Sequence, residues 1–306
     1  MINSLSSISR ALLRDIPSSK APSPITDIAL PLIRRMSVST DARITPSSKI
    51  ISGPVLTHEM LSAVVSGRAL ACAIDGFTDQ KTCQTLTHRL LNESNYEYYG
   101  YAKGSVGRVG FSFSEIVSPE THKKYYSEAR ASIDFIRALC GNIPSPIDQF
   151  RLKLQEAWKY GANFEMLHPD EQMFVGLCRV IEANKSILPH QDMISWYDKH
   201  SEASMKILKQ LTMNIYLQVP ETGGDLELWS WGFKDQKDYQ ALAGDSYGIE
   251  KSKLPPPDLV IKPKEGQLII FNPGNLHCIA TGSAPRLTMS SFLGYHGEKK
   301  PLTWWS

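Results

Sequence analysis

The sequence predicts one α+β domain, with helices in its first half and an antiparallel double-sheet barrel, or jelly roll, in its second. Three observations carry this. Helical periodicity is confined to the region before about residue 160, and about eight strand-sized alternating segments follow it. Turns bearing Pro and Gly, such as Pro220–Gly224 and Pro273–Gly274, separate those segments. A chain of 306 residues, 42% hydrophobic and 21% charged, is long enough and apolar enough to bury a sizeable core.

Residues 1–50 differ in texture from the rest. They are rich in Ser and Pro, and Arg10, Arg14, Lys20, Arg34, Arg35 and Arg43 outnumber Asp15, Asp27 and Asp41. Such a segment has little with which to pack, so it is expected as a loosely ordered extension, with the folded domain spanning 51–306. The stretch Met1–Arg14 lacks acids and spaces Ser, Leu and Arg helically, as a mitochondrial presequence does; the expected compartment is otherwise the cytoplasm.

Ala69–Phe77 reads as a short buried strand, and Thr78–Leu91 as a helix capped by Thr78 or Asp79. Tyr96–Phe113, aromatic and Gly-rich, reads as a hairpin region. Pro119–Leu139 places Ala129, Ile133, Ile136 and Leu139 at the period of an amphipathic helix, and Pro146 opens a further helix to Tyr160. The strands expected beyond are Met173–Glu182, Ile187–Tyr197, Leu211–Val219, Asp225–Trp231, Leu259–Lys262, Gln267–Phe271, Cys278–Thr281 and Leu287–Tyr295. Lys234–Pro257, long, charged and closed by Pro255, Pro256 and Pro257, reads as a surface excursion able to act as a lid.

Several function classes are disfavoured. A net charge of +2 without a basic stripe gives no footprint for nucleic acid or a membrane surface, and the apolar runs are far shorter than a membrane span needs. Cys72, Cys83, Cys140, Cys178 and Cys278 form an odd set with no CxxC pair, expected as reduced thiols in the core. The partner expected is a small molecule, and the protein a monomer or homodimer.

The chemistry concentrates in LPHQDMISWY, where His190 and Asp192 are two apart. On a strand, such residues face one side about 6–7 Å apart at their α-carbons, so an imidazole and a carboxylate can meet at one metal. That pair alone is weak evidence. His277 strengthens it, because it follows an apolar strand and the turn Pro273–Gly274–Asn275 at the start of the next strand. Two histidines and one carboxylate leave coordination sites open for a chelating co-substrate and O2, which suits Fe(II). Arg286, nine residues on, supplies a planar fork for a carboxylate, and Thr288 or Ser290 on the same strand a hydroxyl. Cys278, next to His277, should point to the opposite face.

These spacings resemble the Fe(II)/2-oxoglutarate-dependent dioxygenase superfamily, whose fold is the double-stranded β-helix, a cupin-like barrel. GGDLELW, PPPDLVIKPKEGQLIIFNPGNLH and the ending PLTWWS resemble the branch of free-standing amino-acid halogenases and hydroxylases, near the indole-alkaloid halogenases, over roughly residues 66–306. The resemblance implies Fe(II) held by His190, Asp192 and His277, 2-oxoglutarate held by Arg286 and Thr288, and O2 as co-substrate. No further catalytic residue is expected beyond the metal ligands. It also implies a substrate site for a free amino acid or biosynthetic intermediate, for which Arg108, Trp304 and Trp305 are the candidates.

The halogenases carry Gly or Ala where this chain has Asp192, which opens an iron site to chloride. Hydroxylation is therefore expected, with desaturation or oxidative cyclisation, such as aziridine formation, as the alternative on the same cofactors. A metal-free or structural-metal binding protein on this fold is the non-enzyme alternative. Trp229 and Trp231 are expected in the core, and Asn214 and Tyr216 on one face of a strand flanking the metal, where one could hydrogen-bond 2-oxoglutarate or substrate and packing is the alternative role. His58, His88, His122, His168, His200 and His296 are expected as solvated or simply hydrogen-bonded residues with no ligand-spaced partner.

Overall fold

A computed structural model describes residues 49–92, 96–168, 171–198 and 201–306. The expectations for residues 1–48 and for His200 lie outside the described residues.

The first half carries helices α1 (His58–Val65), α2 (Gln80–Asn92), α3 (Pro119–Cys140) and α4 (Pro146–Ala157). Ser118 caps α3 and exchanges hydrogen bonds with Thr121, while Pro119 occupies the first turn, where a missing N–H costs nothing. The helix buries Tyr125, Ala129, Ile133, Ile136 and Cys140, a single stripe at helical spacing.

Strands β1 (Ile50–Gly53), β2 (Ala71–Ile74), β3 (Glu97–Tyr98), β4 (Val106–Val109), β5 (Ala162–Phe164) and β6 (Leu177–Ile181) precede β7 (Ile187–His190) and β8 (Lys209–Gln218). They are followed by β9 (Leu226–Leu228), β10 (Leu259–Ile261), β11 (Leu268–Phe271), β12 (His277–Ile279), β13 (Arg286–Tyr295) and β14 (Leu302–Trp305). Ten form one sheet in the order β1-β2-β11-β8-β13-β6-β4-β3, with β14 joining β13 to β5; four form a second, β10-β9-β12-β7. All pairings are antiparallel except β1 with β2 and β14 with β5.

The two faces of the large sheet differ in chemistry. Leu211, Met213, Ile215 and Leu217 of β8, with Leu287, Met289 and Leu293 of β13, enter the main core shared with the helices. Burying such a side chain contributes about 1.5–3 kcal/mol. The opposite parity of the same strands carries Gln210, Thr212, Asn214 and Tyr216, and Arg286, Thr288 and Ser290, all buried as well. Register sets these side by side: Thr288 opposite Tyr216, Ser290 opposite Asn214. Toward the β2–β11 edge this inner face turns apolar: Ala73, Tyr216, Ile269 and Phe271 pack with Leu226, Leu228 and Ile261 of the smaller sheet. A buried row of polar groups between two sheets is costly unless it faces a polar chamber.

The sequence expectations differ from the structure at four places. The strand expected to run to Tyr197 ends at His190, and a one-turn helix, α5 (Ile194–Tyr197), follows. The Lys234–Pro257 excursion contains a helix, α6 (Gln236–Ala243). Trp229 and Trp231 leave β9 early and pack, as expected of core residues, with Phe233, Tyr239 and Leu242. The helix α1 and strands β1, β5 and β14 were not anticipated. All five cysteines are buried and unpaired. Among the described residues no helix is long and apolar enough to cross a membrane.

Candidate metal centre and adjoining cavity

His190 closes β7 and His277 opens β12, and the two face each other in register across the smaller sheet. Their rings lie 4.2 Å apart between centroids. Asp192 reaches them from outside the strand. Gln191 ends β7 by turning inward, where its amide accepts from Phe233 N at 2.7 Å and donates to the Gly274 carbonyl at 2.6 Å. Gly232 permits this approach, since a side chain there would collide with Gln191 and the Gly274 carbonyl. The Asp192 amide then donates to the Pro273 carbonyl at 2.9 Å, tying the loop to the turn that precedes His277. Asp192 Oδ2 sits 3.7 Å from His190 Nε2 and 3.6 Å from His277 Nε2.

The other ring nitrogen of each histidine is anchored. His190 Nδ1 lies 2.8 Å from the Leu188 carbonyl and His277 Nδ1 3.1 Å from the Asn275 carbonyl. A carbonyl only accepts, so both Nδ1 atoms carry a proton, and Nε2 is the nitrogen each ring turns toward Asp192. Burial, reinforced by His277, pushes the His190 pKa down to about 4. For Asp192, burial opposes the charge, but His190, His277 and Arg179 outweigh it and hold the carboxyl well below its ordinary range. Two imidazole Nε2 atoms and one carboxylate thus converge on one point. This set fits a divalent ion with open positions, Fe(II) among them, and lacks the fourth ligand of a closed structural site. Cys278 points away and donates to Glu227 Oε2 at 3.2 Å.

Arg286 stands on the polar inner face of the large sheet. It is buried, one terminal nitrogen donates to Tyr216 Oη at 3.0 Å, and its guanidinium lies 4.8 Å from the centre of that ring. Its Nε has no hydrogen-bond partner, and no ion pair to Arg286 occurs among the described residues. A buried guanidinium with a free donor and no counter-charge fits an exogenous carboxylate. Thr288, buried two residues along the same face, stands beside it.

A cavity of about 310 Å³ opens on His190 and Asp192, lined also by Arg179, Tyr99, Phe113, Tyr197 and Trp305. Gln236, Tyr239, Gln240 and Tyr247 of the 234–257 excursion complete its wall. The excursion is pinned to β7 itself: Leu188 N donates to Tyr247 Oη at 3.0 Å, and Ile249 N to the Pro189 carbonyl at 2.8 Å. A larger cleft of about 470 Å³ lies beyond Gln210 and Ile194 and carries none of the triad.

The substrate-side candidates divide. Trp305 lines the cavity and packs on Phe292, with ring centroids 5.7 Å apart. Trp304, of opposite parity, turns away from it and stacks with Phe164 and Arg151. Arg108 is not brought to the cavity: it donates to Glu115 at 2.7 Å, the Gly110 carbonyl at 2.9 Å and Glu97 at 3.1 Å, so its donors serve its own strand and loop. Its direct neighbour in register on β6 is Arg179, which does line the cavity and donates to Tyr99 Oη at 3.3 Å. Arg179 is the residue that sequence reasoning passed over. The signal was present: it is the lone charge inside the apolar run Phe174–Ile181, a position that a wholly buried strand does not otherwise allow.

Residues 59–306 match the family model of the carrier-protein-independent halogenase WelO5. The chain belongs to that family, one of 2-oxoglutarate-dependent oxidoreductases, whose cofactors are Fe(II) and 2-oxoglutarate. Among solved structures it is similar to an N-substituted L-amino acid dioxygenase from Burkholderia ambifaria AMMD, at 16% identity and a TM-score of 0.54, covering 82% of this chain and 92% of that one. The same enzyme in complex with alpha-KG gives 18% identity and a TM-score of 0.54, over 80% and 90% of the respective chains. At this identity the likeness speaks to the fold. No curated protein sequence gives a significant match.

Proposed function

We propose that this chain is a hydroxylase of a small molecule, built on a jelly-roll barrel, with iron held by His190, Asp192 and His277 and 2-oxoglutarate by Arg286 and Thr288. The observation that carries this reading is the Asp192 carboxylate, less than 4 Å from both Nε2 atoms. A side chain there fills the position that Gly or Ala leaves to a halide in the halogenases, so oxygen rather than halogen transfer is the expected outcome. Bound Fe(II) and 2-oxoglutarate would supply, with O2, the oxidising power to break an unactivated C–H bond, releasing succinate and CO2.

This chain's own residues do the rest. The Leu188 and Asn275 carbonyls fix both imidazoles in the tautomer that offers Nε2. Arg286 orients a carboxylate in the polar chamber. Tyr99, Phe113 and Trp305 give the cavity a buried aromatic wall, and Arg179 gives it one cation. That pairing favours a compact substrate with an apolar body and an anionic group, as a free or N-substituted amino acid has.

The experiment is anaerobic loading with Fe(II) and 2-oxoglutarate, admission of O2 in the presence of chloride and bromide, and a screen of amino acids and small carboxylic acids. Succinate release coupled to an oxygen-bearing product supports the reading. A halogenated product overturns it.

A further inference from the structure

A second cluster of metal-ligating side chains lies away from the triad, where α3 meets the segment leading into β6. The donor atoms of His122, His168 and Glu171 all fall within 4.8 Å of one another. His122 and Tyr126 are four residues apart on α3 and so share a face, with ring centroids 4.8 Å apart. The His168 ring stands edge-on to His122 at 5.0 Å and to Tyr126 at 5.7 Å. A backbone bond from Glu171 N to the His168 carbonyl, 3.2 Å, turns the chain so that both side chains reach the same point. Sequence spacing, with the two histidines 46 positions apart, gave no hint of this, and the expectation that His122 and His168 have no ligand-spaced partner does not hold.

None of the three side chains has a hydrogen bond or ion pair to another described residue. Beside them Tyr126 Oη is buried and has no hydrogen-bond partner among the described residues.

We propose that His122, His168 and Glu171 form a second divalent-cation site of the zinc class, which clips α3 to the segment entering β6. Two imidazoles and one carboxylate are a nitrogen-rich set, suited to zinc and poorly suited to magnesium or calcium, which need more oxygen ligands. Around a tetrahedral zinc the ligand atoms stand about 3.4 Å apart, so small side-chain rotations close the cluster. The fourth position falls to water, within the reach of Tyr126. The adjacent Tyr125 donates to the Ser306 carbonyl at 2.7 Å and accepts from Phe174 N at 3.2 Å, so the clip braces the strand end that presents Trp305 to the cavity.

The test removes the first site and asks whether a metal remains. The His190→Ala/His277→Ala variant, dialysed against zinc and measured by elemental analysis, is expected to keep one zinc per chain, and to lose it when His122→Ala and His168→Ala are added. No zinc in the first variant, or zinc persisting in the second, overturns the proposal. A measurement on the unmodified chain guards against misfolded variants. Zinc is expected to shield His122 and His168 from diethylpyrocarbonate, read by peptide mass spectrometry, while exposed His88 reacts as before; equal reaction at all three with and without zinc overturns it. Neither readout uses enzyme activity, so both are independent of the proposed hydroxylation.

Discussion

Replacing Arg286 by Gln separates a ligand-binding arginine from a structural one, because the two roles predict opposite signs in the metal-free protein. The guanidinium is buried, its Nε has no partner, and its neutral contact is Tyr216. An unsatisfied buried donor costs about 1–3 kcal/mol, so removing it should leave the apoprotein as stable as before or slightly more so. With 2-oxoglutarate present the balance reverses. Truncating one partner of a buried charge pair costs about 2–5 kcal/mol, which is about 30-fold to a few thousand-fold in affinity. At a concentration one hundred times its Kd, 2-oxoglutarate should stabilise the unaltered Fe(II) protein by about 2.7 kcal/mol. For a domain of this size that raises Tm by about 5–10 °C. At the same concentration the variant should gain under about 1 kcal/mol, a rise of no more than about 3 °C. The assay is anaerobic thermal unfolding, with and without 2-oxoglutarate. An undiminished ligand shift in Arg286→Gln, or an apoprotein destabilised by more than about 2 kcal/mol, would refute the assignment.

Four further outcomes follow from the same geometry. Asp192→Ala should lower Fe(II) affinity by more than about 100-fold, beyond the effect of losing an outer hydrogen bond, as measured by equilibrium dialysis; unchanged iron content counts against the triad. Arg179→Gln should raise KM for an anionic substrate by about 10–100-fold with 2-oxoglutarate binding intact, while Arg108→Gln should act through stability, read by denaturant unfolding. Trp305→Phe should alter turnover or product distribution, whereas Trp304→Phe should change only Tm, since only Trp305 faces the cavity. For buried Glu165, burial opposes the charge, but His296 and Thr303 outweigh it and lower its pKa from 4.5. Its stabilisation is therefore present above pH 4.5 and lost as pH falls below that value, and Glu165→Gln should flatten the acid limb of an unfolding profile.

The parts of the fold legible in the sequence are those where local pattern and tertiary role agree. The stripe from Tyr125 to Cys140 is both a helical period and a core face, and the alternation in β8 and β13 is both a strand signal and the division between core and chamber. The triad was readable because its ligands sit at a strand end and beside a marked turn, positions that Pro273 and Gly274 announce. Asp192 reaches the same point by a different route from the one expected. The side chain of Gln191, not strand alternation, places it, and that depends on Phe233 and Gly274, which no local window includes. Arg108 and Arg179 show the same limit: they are paired in register, but only tertiary structure decides which one faces the cavity. His122 and His168 were illegible for the plainest reason, since their proximity is made by packing α3 against a distant segment.

The 234–257 excursion roofs a chamber whose floor is laid by strands. Gln236, Tyr239, Gln240 and Tyr247 come from one continuous stretch of chain, joined to the floor by two hydrogen bonds to β7. Floor and roof therefore come from separate stretches of chain. Tyr239, Leu242 and Ile249 of the roof share a core with Trp229, Trp231 and Leu276, so they hold the segment to the smaller sheet. A designer seeking a new substrate would vary the positions that face the cavity, such as Gln236 and Gln240, and keep Tyr239, Leu242, Tyr247 and Ile249.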